Sequence, residues 1–308
     1  MNKEWKDNSG KIHSGSYHGS KNEYDVIDCS LCGFKHVVPI PSEEFLENYY
    51  RKDFVKNSPA GFYNKIEKDI PWWEIIYNEK YDLLEKYITK QNKSILDIGS
   101  GLGYFLKYGK ARGWKTVGVE PSLESCDYSM KHGLEIINEY LDQKNYQKLG
   151  KYDVVHMHEV IEHLPDPVNM INLGMRMLNP GGLLCIVSPN DFNPLQEAFM
   201  KSGKTDQWWI SPPEHINYFN FSSISKLLKE NGFNILEQTS TFPLELFLLM
   251  GDNYIGNNKI GKEIHSKRKQ FEMTMYKTGN DEIRRKLYKN ISDLGLGREL
   301  IIIGQAKI

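Results

Sequence analysis

The stretch Ser94–Leu106, S-I-L-D-I-G-S-G-L-G-Y-F-L, constrains the fold of this chain more than any other. Ile95, Leu96 and Ile98 form an aliphatic run suited to a short strand buried on both faces, as in a parallel sheet. Gly99, Gly101 and Gly103 break the run, and glycine permits positive φ and a ligand lying against the backbone. The helix expected from Tyr104 leaves its first N–H groups unpaired at the same place. Strand, glycine turn and helix start together predict a nucleotide-type pocket. The glycines fall as G-x-G-x-G, not as the dinucleotide pattern G-x-G-x-x-G, and Asp97 stands two residues ahead of the first. A carboxylate there disfavours a pyrophosphate and suits a cationic ligand.

The pattern downstream alternates strand and helix. Tyr104–Arg112 reads as a helix stopped by Gly113, and Thr116–Val119 as a second strand ending at Glu120-Pro121-Ser122. An acid closing the second strand of a β-α-β unit can accept hydrogen bonds from a ribose diol. Leu123–His132 is a helix, and Leu134–Ile137 a third strand followed by Glu139, Tyr140 and Leu141. Tyr152–Met157 is a fourth strand that runs into H-E-V-I-E-H-L-P-D-P, His158–Pro167. A helix over Val168–Leu178, the turn L-N-P-G-G and a fifth strand over Leu183–Val187 follow, then Ser188-Pro189-Asn190. F-N-I-L-E-Q and R-E-L-I-I-I-G-Q read as the sixth and seventh strands.

From Ser94 to Asn190 this succession resembles the class I S-adenosylmethionine (SAM) dependent methyltransferases, whose first motif, D-x-G-x-G-x-G, wraps the methionine end of SAM. The resemblance implies an α/β fold: a three-layer Rossmann-like sandwich with a seven-stranded, mostly parallel sheet in the order 3-2-1-4-5-7-6. It implies SAM contacts from Asp97, Gly99, Ser100, Gly101, Gly103, Glu120, Pro121 and Ser122, and from Glu139, Tyr140 and His158. The implied activity is methyl transfer to a small-molecule acceptor at a hydroxyl of sugar, diol or catechol type. Two other readings stand beside it: an RNA ribose 2′-O-methyltransferase, and a SAM-binding protein without catalysis. The glycine spacing and Asp97 disfavour an NAD-dependent oxidoreductase.

E-V-I-E-H adds a possible second chemistry. Read as a helix, it puts Glu159, Glu162 and His163 on one face. Two carboxylates and an imidazole make a divalent-metal half-site of the Mg/Mn class, and His215 in P-P-E-H-I-N-Y-F is the fourth candidate ligand. This set resembles the metal-dependent small-RNA terminal 2′-O-methyltransferases, and the ubiquinone-pathway O-methyltransferases show a similar segment. Without a metal, His158, His163 or His215 is the expected general base; in a competing reading Glu162 and His163 only orient the loop by hydrogen bonds.

Outside this region the signals are local. Residues 1–68 read as an N-terminal extension, and 69–308 as the main domain with a helical insertion at 243–297. Cys29-x-x-Cys32-Gly is half of a zinc knuckle, and His13 and His18 are candidates for the other two ligands of a structural zinc. The competing reading is two reduced cysteines buried in a hairpin. A helix is expected from Ser42 to Tyr50 with Ser42 as N-cap, and another over Asp69–Lys90 with Pro71 in its first turn. Its stripe includes Trp73 and Tyr77, which the resemblance places beside the SAM pocket. Asp191–Phe221 reads as loop, with Trp208, Trp209, Tyr218 and Phe219 either lining an acceptor pocket or packed. The basic run K-E-I-H-S-K-R-K-Q-F reads as a solvated helix face or a phosphate contact.

The 308 residues can bury a sizeable core, and a formal net charge of −1 gives no pull toward nucleic acid or acidic membranes. The apolar stretch Leu244–Met250 is far too short to span a bilayer, and M-N-K-E-W-K-D-N-S-G lacks a signal-peptide core. Four cysteines make no disulfide framework. The expectation is a cytoplasmic enzyme, with monomer and homodimer left undecided.

Overall fold

A computed structural model describes residues 1–7, 9–42, 44–46, 62–203 and 205–307. Strands β1 (Asn2–Lys6), β2 (Ile12–Lys21), β3 (Tyr24–Cys29) and β4 (Lys35–Val38) pair in succession as an antiparallel meander. The fifth strand of this sheet comes from far along the chain: Asn217–Tyr218 (β10) pairs with β4, Asn217 opposite His36 and Tyr218 opposite Lys35. The extension is therefore hydrogen-bonded into the main body through its last strand. Ser42 caps as expected, its Oγ accepting from the Phe45 N–H at 3.2 Å. Residues 44–46 are helical, and Glu43 and residues 47–50 of the expected helix lie outside the described residues.

Helix α1 (Phe62–Glu85) begins before Asp69, so Pro71 sits inside the helix and not in its first turn. Its side chains Trp72, Ile75, Ile76, Tyr81 and Leu84 are buried; Tyr81 and Leu84 pack on the central sheet and α2 (Tyr104–Ala111), while the Trp72 indole N–H donates to Glu272 of the insertion. The Tyr81 hydroxyl donates to the Phe105 carbonyl at 3.2 Å. A Cβ on Gly109 would meet that hydroxyl at 1.9 Å, so the contact of α1 with α2 requires glycine there.

The central sheet contains β5 (Ser94–Ile98), β6 (Lys115–Val119), β7 (Glu135–Ile137), β8 (Tyr152–His158), β9 (Leu178–Pro189), β11 (Phe233–Ser240) and β12 (Glu299–Ala306). Its order is β11-β12-β9-β8-β5-β6-β7. Counted within the sheet this is 3-2-1-4-5-7-6, the expected order read from the other edge. β5 to β9 are parallel, and β12 lies antiparallel between β9 and β11. Alternation along the strands divides the core between the two faces. Leu96, Val155, Leu184 and Ile302 join one cluster, with side chains from α5 (Pro167–Arg176) and α7 (Phe221–Glu230). Ile95, Val154, Leu183 and Ile303 join the other, with Tyr81, Leu84, Phe105 and Leu106. Two shorter helices, α3 (Leu123–Lys131) and α4 (Tyr146–Leu149), connect β6 to β7 and β7 to β8.

The segment expected to be loop, Asp191–Phe221, contains α6 (Pro194–Lys201) and β10. Asn193 and Gln196 close a reciprocal cap at the start of α6, which accounts for a helix in a stretch without apolar periodicity. Trp209, Tyr218 and Phe219 are buried at 4%, 2% and 1% exposure, which favours the packed reading. The insertion is helical: α8 (Glu245–Leu249), α9 (Asn258–Lys277) and α10 (Asp281–Asp293). Much of its basic run is paired within the fold, Lys267 with Asp252, Arg268 with Glu272 and Lys269 with Asp69. Among the described residues no helix is long and apolar enough to cross a membrane.

Candidate functional site

The C-terminal ends of the parallel strands meet along one edge of the sheet, where ligands bind in open α/β folds. The loop after β5 carries the three glycines, all at positive φ: 72° at Gly99, 52° at Gly101 and 70° at Gly103. They differ in what surrounds them. A Cβ on Gly99 would strike Val160 Cγ2 at 2.6 Å, and one on Gly103 would strike Leu134 Cδ1 at 2.4 Å. One on Gly101 would meet nothing within 4 Å. Gly101 is therefore the point at which the loop opens onto free space, and Gly103 is the N-cap of α2.

Glu120, one residue beyond β6, closes that space and is 8% exposed. Its two carboxylate oxygens accept from the Gly101 and Ser122 N–H groups, each at 2.8 Å. These bonds fix the carboxylate beside the loop, and burial pushes its pKa above the usual range. The Ser100 Oγ is buried without a hydrogen-bond partner among the described residues. Ser122 is committed elsewhere, its Oγ accepting from the Ser125 N–H at 3.4 Å as the N-cap of α3. Glu139 is exposed; its carboxylate and the Tyr140 carbonyl both accept from the Asn145 side chain. The Pro121 carbonyl accepts from Asn138 at 3.1 Å. Trp73 stacks on Tyr77 at 5.7 Å, and Tyr77 packs edge-on against Phe105 of α2.

Asp97 is buried beneath the loop and faces His156 of β8, its neighbour in parallel register. His156 Nδ1 donates to Asp97 Oδ1 at 2.7 Å. Burial pushes the His156 imidazole down to about 4, so at neutral pH the pair is a hydrogen bond from a neutral ring and not an ion pair. Its Nε2 is buried with no partner among the described residues.

The chain after β8 departs from the helical reading of E-V-I-E-H. Glu159 adopts φ 54°, a left-handed conformation rare for a residue with a side chain, and only Ile161–His163 forms a short 3-10 turn. The expected four-ligand set consequently splits. Glu162, His163 and His215 remain together, with one ligand atom from each lying within 4.8 Å of the others. Glu159 instead joins His158 and Glu299 in a second group. There His158 Nε2 lies 3.3 Å from Glu299 and its Nδ1 lies 3.5 Å from the buried Lys80 ammonium.

In the first group, Glu162 Oε2 accepts from the Ser188 hydroxyl at 3.1 Å, while Oε1 is buried without a hydrogen-bond donor among the described residues. Burial, and the charge of Glu159, hold this carboxyl well above its ordinary range. His163 Nδ1 donates to the Glu214 carbonyl at 2.7 Å, which turns its Nε2 toward Glu162 Oε1 at 3.8 Å. His215 stands edge-on to His163 at 5.0 Å, its buried Nδ1 lacking a partner among the described residues. Burial depresses both imidazoles to about 4, helped by His215 beside His163 and by Arg298 beside His215. The group thus offers two neutral imidazoles and a carboxyl group with one unpartnered oxygen, which gives up its proton on binding a cation, a donor set suited to a divalent ion.

Three residues of this region belong to no motif: Lys80, His156 and Glu299. The signal for His156 was an imidazole between Val155 and Met157, in the middle of the strand Y-D-V-V-H-M-H. The other two come from distant elements and carry no local signal.

The N-terminal cysteines also find partners. His13, Cys29, Cys32 and His36 form one cluster with ligand atoms within 4.8 Å of one another. His18, expected in this set, is displaced from it. It is the extra residue of a β-bulge between Tyr17 and Gly19, and it lies near Asp28 and Phe192.

Residues 72–238 match a protein family described as a methyltransferase domain. Among curated proteins, the ubiquinone biosynthesis O-methyltransferase of Marinobacter nauticus is 27% identical over 171 residues, covering 52% of this chain and 71% of that enzyme. That of Psychrobacter cryohalolentis is 28% identical over 117 residues, 35% of this chain and 44% of the relative, so the chain spans less than half of it. Among solved structures, the plantazolicin methyltransferase BpumL, in complex with a monoazolic desmethylPZN analog and SAH, superposes with TM-score 0.51 at 14% identity. That superposition covers 86% of this chain and 94% of BpumL.

Proposed function

The chain belongs to the SAM-dependent methyltransferases, and from that premise we propose that it methylates a hydroxyl of a small-molecule acceptor of sugar, diol or catechol type. The free space over Gly101, bounded by the fixed Glu120 carboxylate, the unpartnered Ser100 Oγ and the start of α2, fits SAM. In this reading Glu120 accepts from the ribose hydroxyls with the lone pairs its two backbone bonds leave over. Gly99, Ser100, Gly101 and Gly103 supply backbone against the methionine end. Asp97 is a positioning residue, holding the loop from below through His156. Bound SAM contributes an electrophilic sulfonium methyl. The protein's contribution is to align that methyl with the acceptor oxygen, which is worth several kcal/mol.

The observation that carries the choice of oxygen is the group Glu162, His163 and His215, with its unpartnered Glu162 Oε1 and His215 Nδ1. Those residues fit a divalent ion of the Mg/Mn class, which would supply Lewis acidity toward an acceptor hydroxyl and lower its pKa. The relatives named as O-methyltransferases agree with this choice. In this reading His158, which lies between Lys80 and Glu299, takes the acceptor proton.

The test is methyl transfer from isotopically labelled SAM to a panel of catechols, vicinal diols, sugars and amines. It is run on chelator-treated enzyme and after return of Mg²⁺ or Mn²⁺. Labelled ether products that vanish on chelation and return with metal are the expected result. Full activity after chelation removes the metal from the reading, and exclusive N-methylation overturns the choice of oxygen.

A further inference from the structure

Outside the methyltransferase site, four potential ligands from three neighbouring strands converge inside the N-terminal sheet. His13 is on β2, Cys29 ends β3, Cys32 lies in the turn that follows, and His36 is on β4. His13, Cys29 and His36 are buried at 6%, 1% and 1% exposure. His13 Nδ1 lies 3.2 Å from His36 Nε2, 3.4 Å from Cys32 Sγ and 3.7 Å from Cys29 Sγ. A tetrahedral zinc with ordinary Zn–N and Zn–S bonds has edges of about 3.3 Å between two nitrogens and about 3.6 Å between nitrogen and sulfur. The three distances are those edges to within about 0.2 Å.

The outward faces of the two imidazoles are arranged as ligands require. His36 Nδ1 donates to the Val37 carbonyl at 2.9 Å, and His13 Nε2 faces the Asp7 carboxylate at 3.5 Å. Each contact places the ring proton on the far nitrogen and leaves a bare lone pair turned inward, the usual outer support of a metal-bound histidine. Two inward lone pairs 3.2 Å apart, with two sulfurs beside them, oppose one another until a cation sits between. The turn itself has knuckle form. The Gly33 N–H donates to the Cys29 carbonyl at 2.8 Å, and Gly33 takes φ 76°.

We infer that His13, Cys29, Cys32 and His36 bind one structural Zn²⁺, with His36 and not His18 as the fourth ligand. Binding releases the thiol protons to solvent and forms two Zn–S and two Zn–N bonds, with no redox step. The ion clips β2, β3 and β4 together one strand away from the candidate metal group. β4 holds β10 through the Val37 N–H to the Ile216 carbonyl, and the Ile216 N–H donates to the Glu162 carbonyl, both at 2.9 Å.

The test uses untagged full-length protein and reads metal directly, so it stands whether or not methyl transfer is detected. Elemental analysis after growth in zinc-supplemented medium should give one sulfur-bound zinc per chain. Replacement by Co²⁺ should give a thiolate-to-cobalt charge-transfer band and strong tetrahedral d–d bands. A cobalt ion on Glu162, His163 and His215 would show no such sulfur band. Cys32→Ser and His36→Ala should abolish the band, and His18→Ala should keep it. If the first two variants do not fold, the wild-type cobalt spectrum decides. A wild type without the sulfur band overturns the inference and leaves a hydrogen-bonded cluster of thiols and imidazoles. A band lost in His18→Ala and kept in His36→Ala overturns the ligand assignment.

Discussion

Substituting the second and third glycines of the loop separately should divide stability from ligand binding. In Gly103→Ala the new methyl meets the buried Leu134 Cδ1 at 2.4 Å and Ser129 Oγ at 3.1 Å, at φ 70°. Left-handed backbone costs an alanine about 1–2 kcal/mol, and overpacking a filled core costs about 1–3 kcal/mol more. In Gly101→Ala only the backbone term applies, because nothing lies within 4 Å of the added methyl. An unfolding entropy of about 2.1 cal/mol/K per residue gives roughly 0.65 kcal/mol per degree for 308 residues. The expected losses in Tm are then about 3–8 °C for Gly103→Ala and about 2–3 °C for Gly101→Ala. Binding should run in the opposite order. The Gly101 methyl occupies the space assigned to SAM and should weaken it by tenfold or more, about 1.4 kcal/mol. Differential scanning calorimetry reads the first effect. Isothermal titration with SAH, which needs no acceptor, reads the second. Gly101→Ala binding SAH like the wild type, or losing as much stability as Gly103→Ala, would refute the reasoning.

Three further perturbations follow from described contacts. Glu120→Gln puts an amide N–H₂ against one of two backbone N–H donors, so SAH affinity should fall by about 1–3 kcal/mol, checked by the same titration; unchanged affinity removes Glu120 from the site. Stability should fall between pH 6.5 and about 4. There the unfolded chain protonates His156, His163 and His215, whose imidazoles burial holds at about 4 in the fold. Each contributes up to about 3 kcal/mol. Glu162, its pKa raised by burial, acts oppositely by losing stability as pH rises. Urea midpoints at pH 7 and pH 5 measure the balance, which the histidines should dominate; identical midpoints would contradict it. Arg284→Ala leaves the Glu79 carboxylate, 2.9 Å from the lost guanidinium and 6% exposed, buried without its cation. That should cost about 3–5 kcal/mol by chemical denaturation, and a change under 1 kcal/mol would argue against a buried ion pair.

The parts legible in the sequence were those set by local pattern. Aliphatic runs and glycine stops marked the parallel strands and put Glu120 at the end of the second one, while the sheet order was what the resemblance carried by those motifs implied. What failed depended on register or on strain. The E-V-I-E-H segment has perfect helical spacing, yet Glu159 leaves β8 at φ 54° and turns away from Glu162. His18 and His36 are equally plausible ligands by spacing, and only a bulge in β2 and the pairing of Ile27 with His36 decide between them. Lys80 and Glu299 reach His158 from 78 and 141 residues away, a distance over which side-chain pattern carries no information.

The position of β12 also sets the order in which the molecule can be assembled. β12 lies between β9 and β11, although α8, α9 and α10 are all made before it. A chain growing from its N-terminus therefore holds β11 without a strand neighbour until β12 slides in. The same event delivers Glu299 to His158. Nascent chains can close the glycine loop on Glu120 early, while the contact of Glu299 with His158 waits for β12.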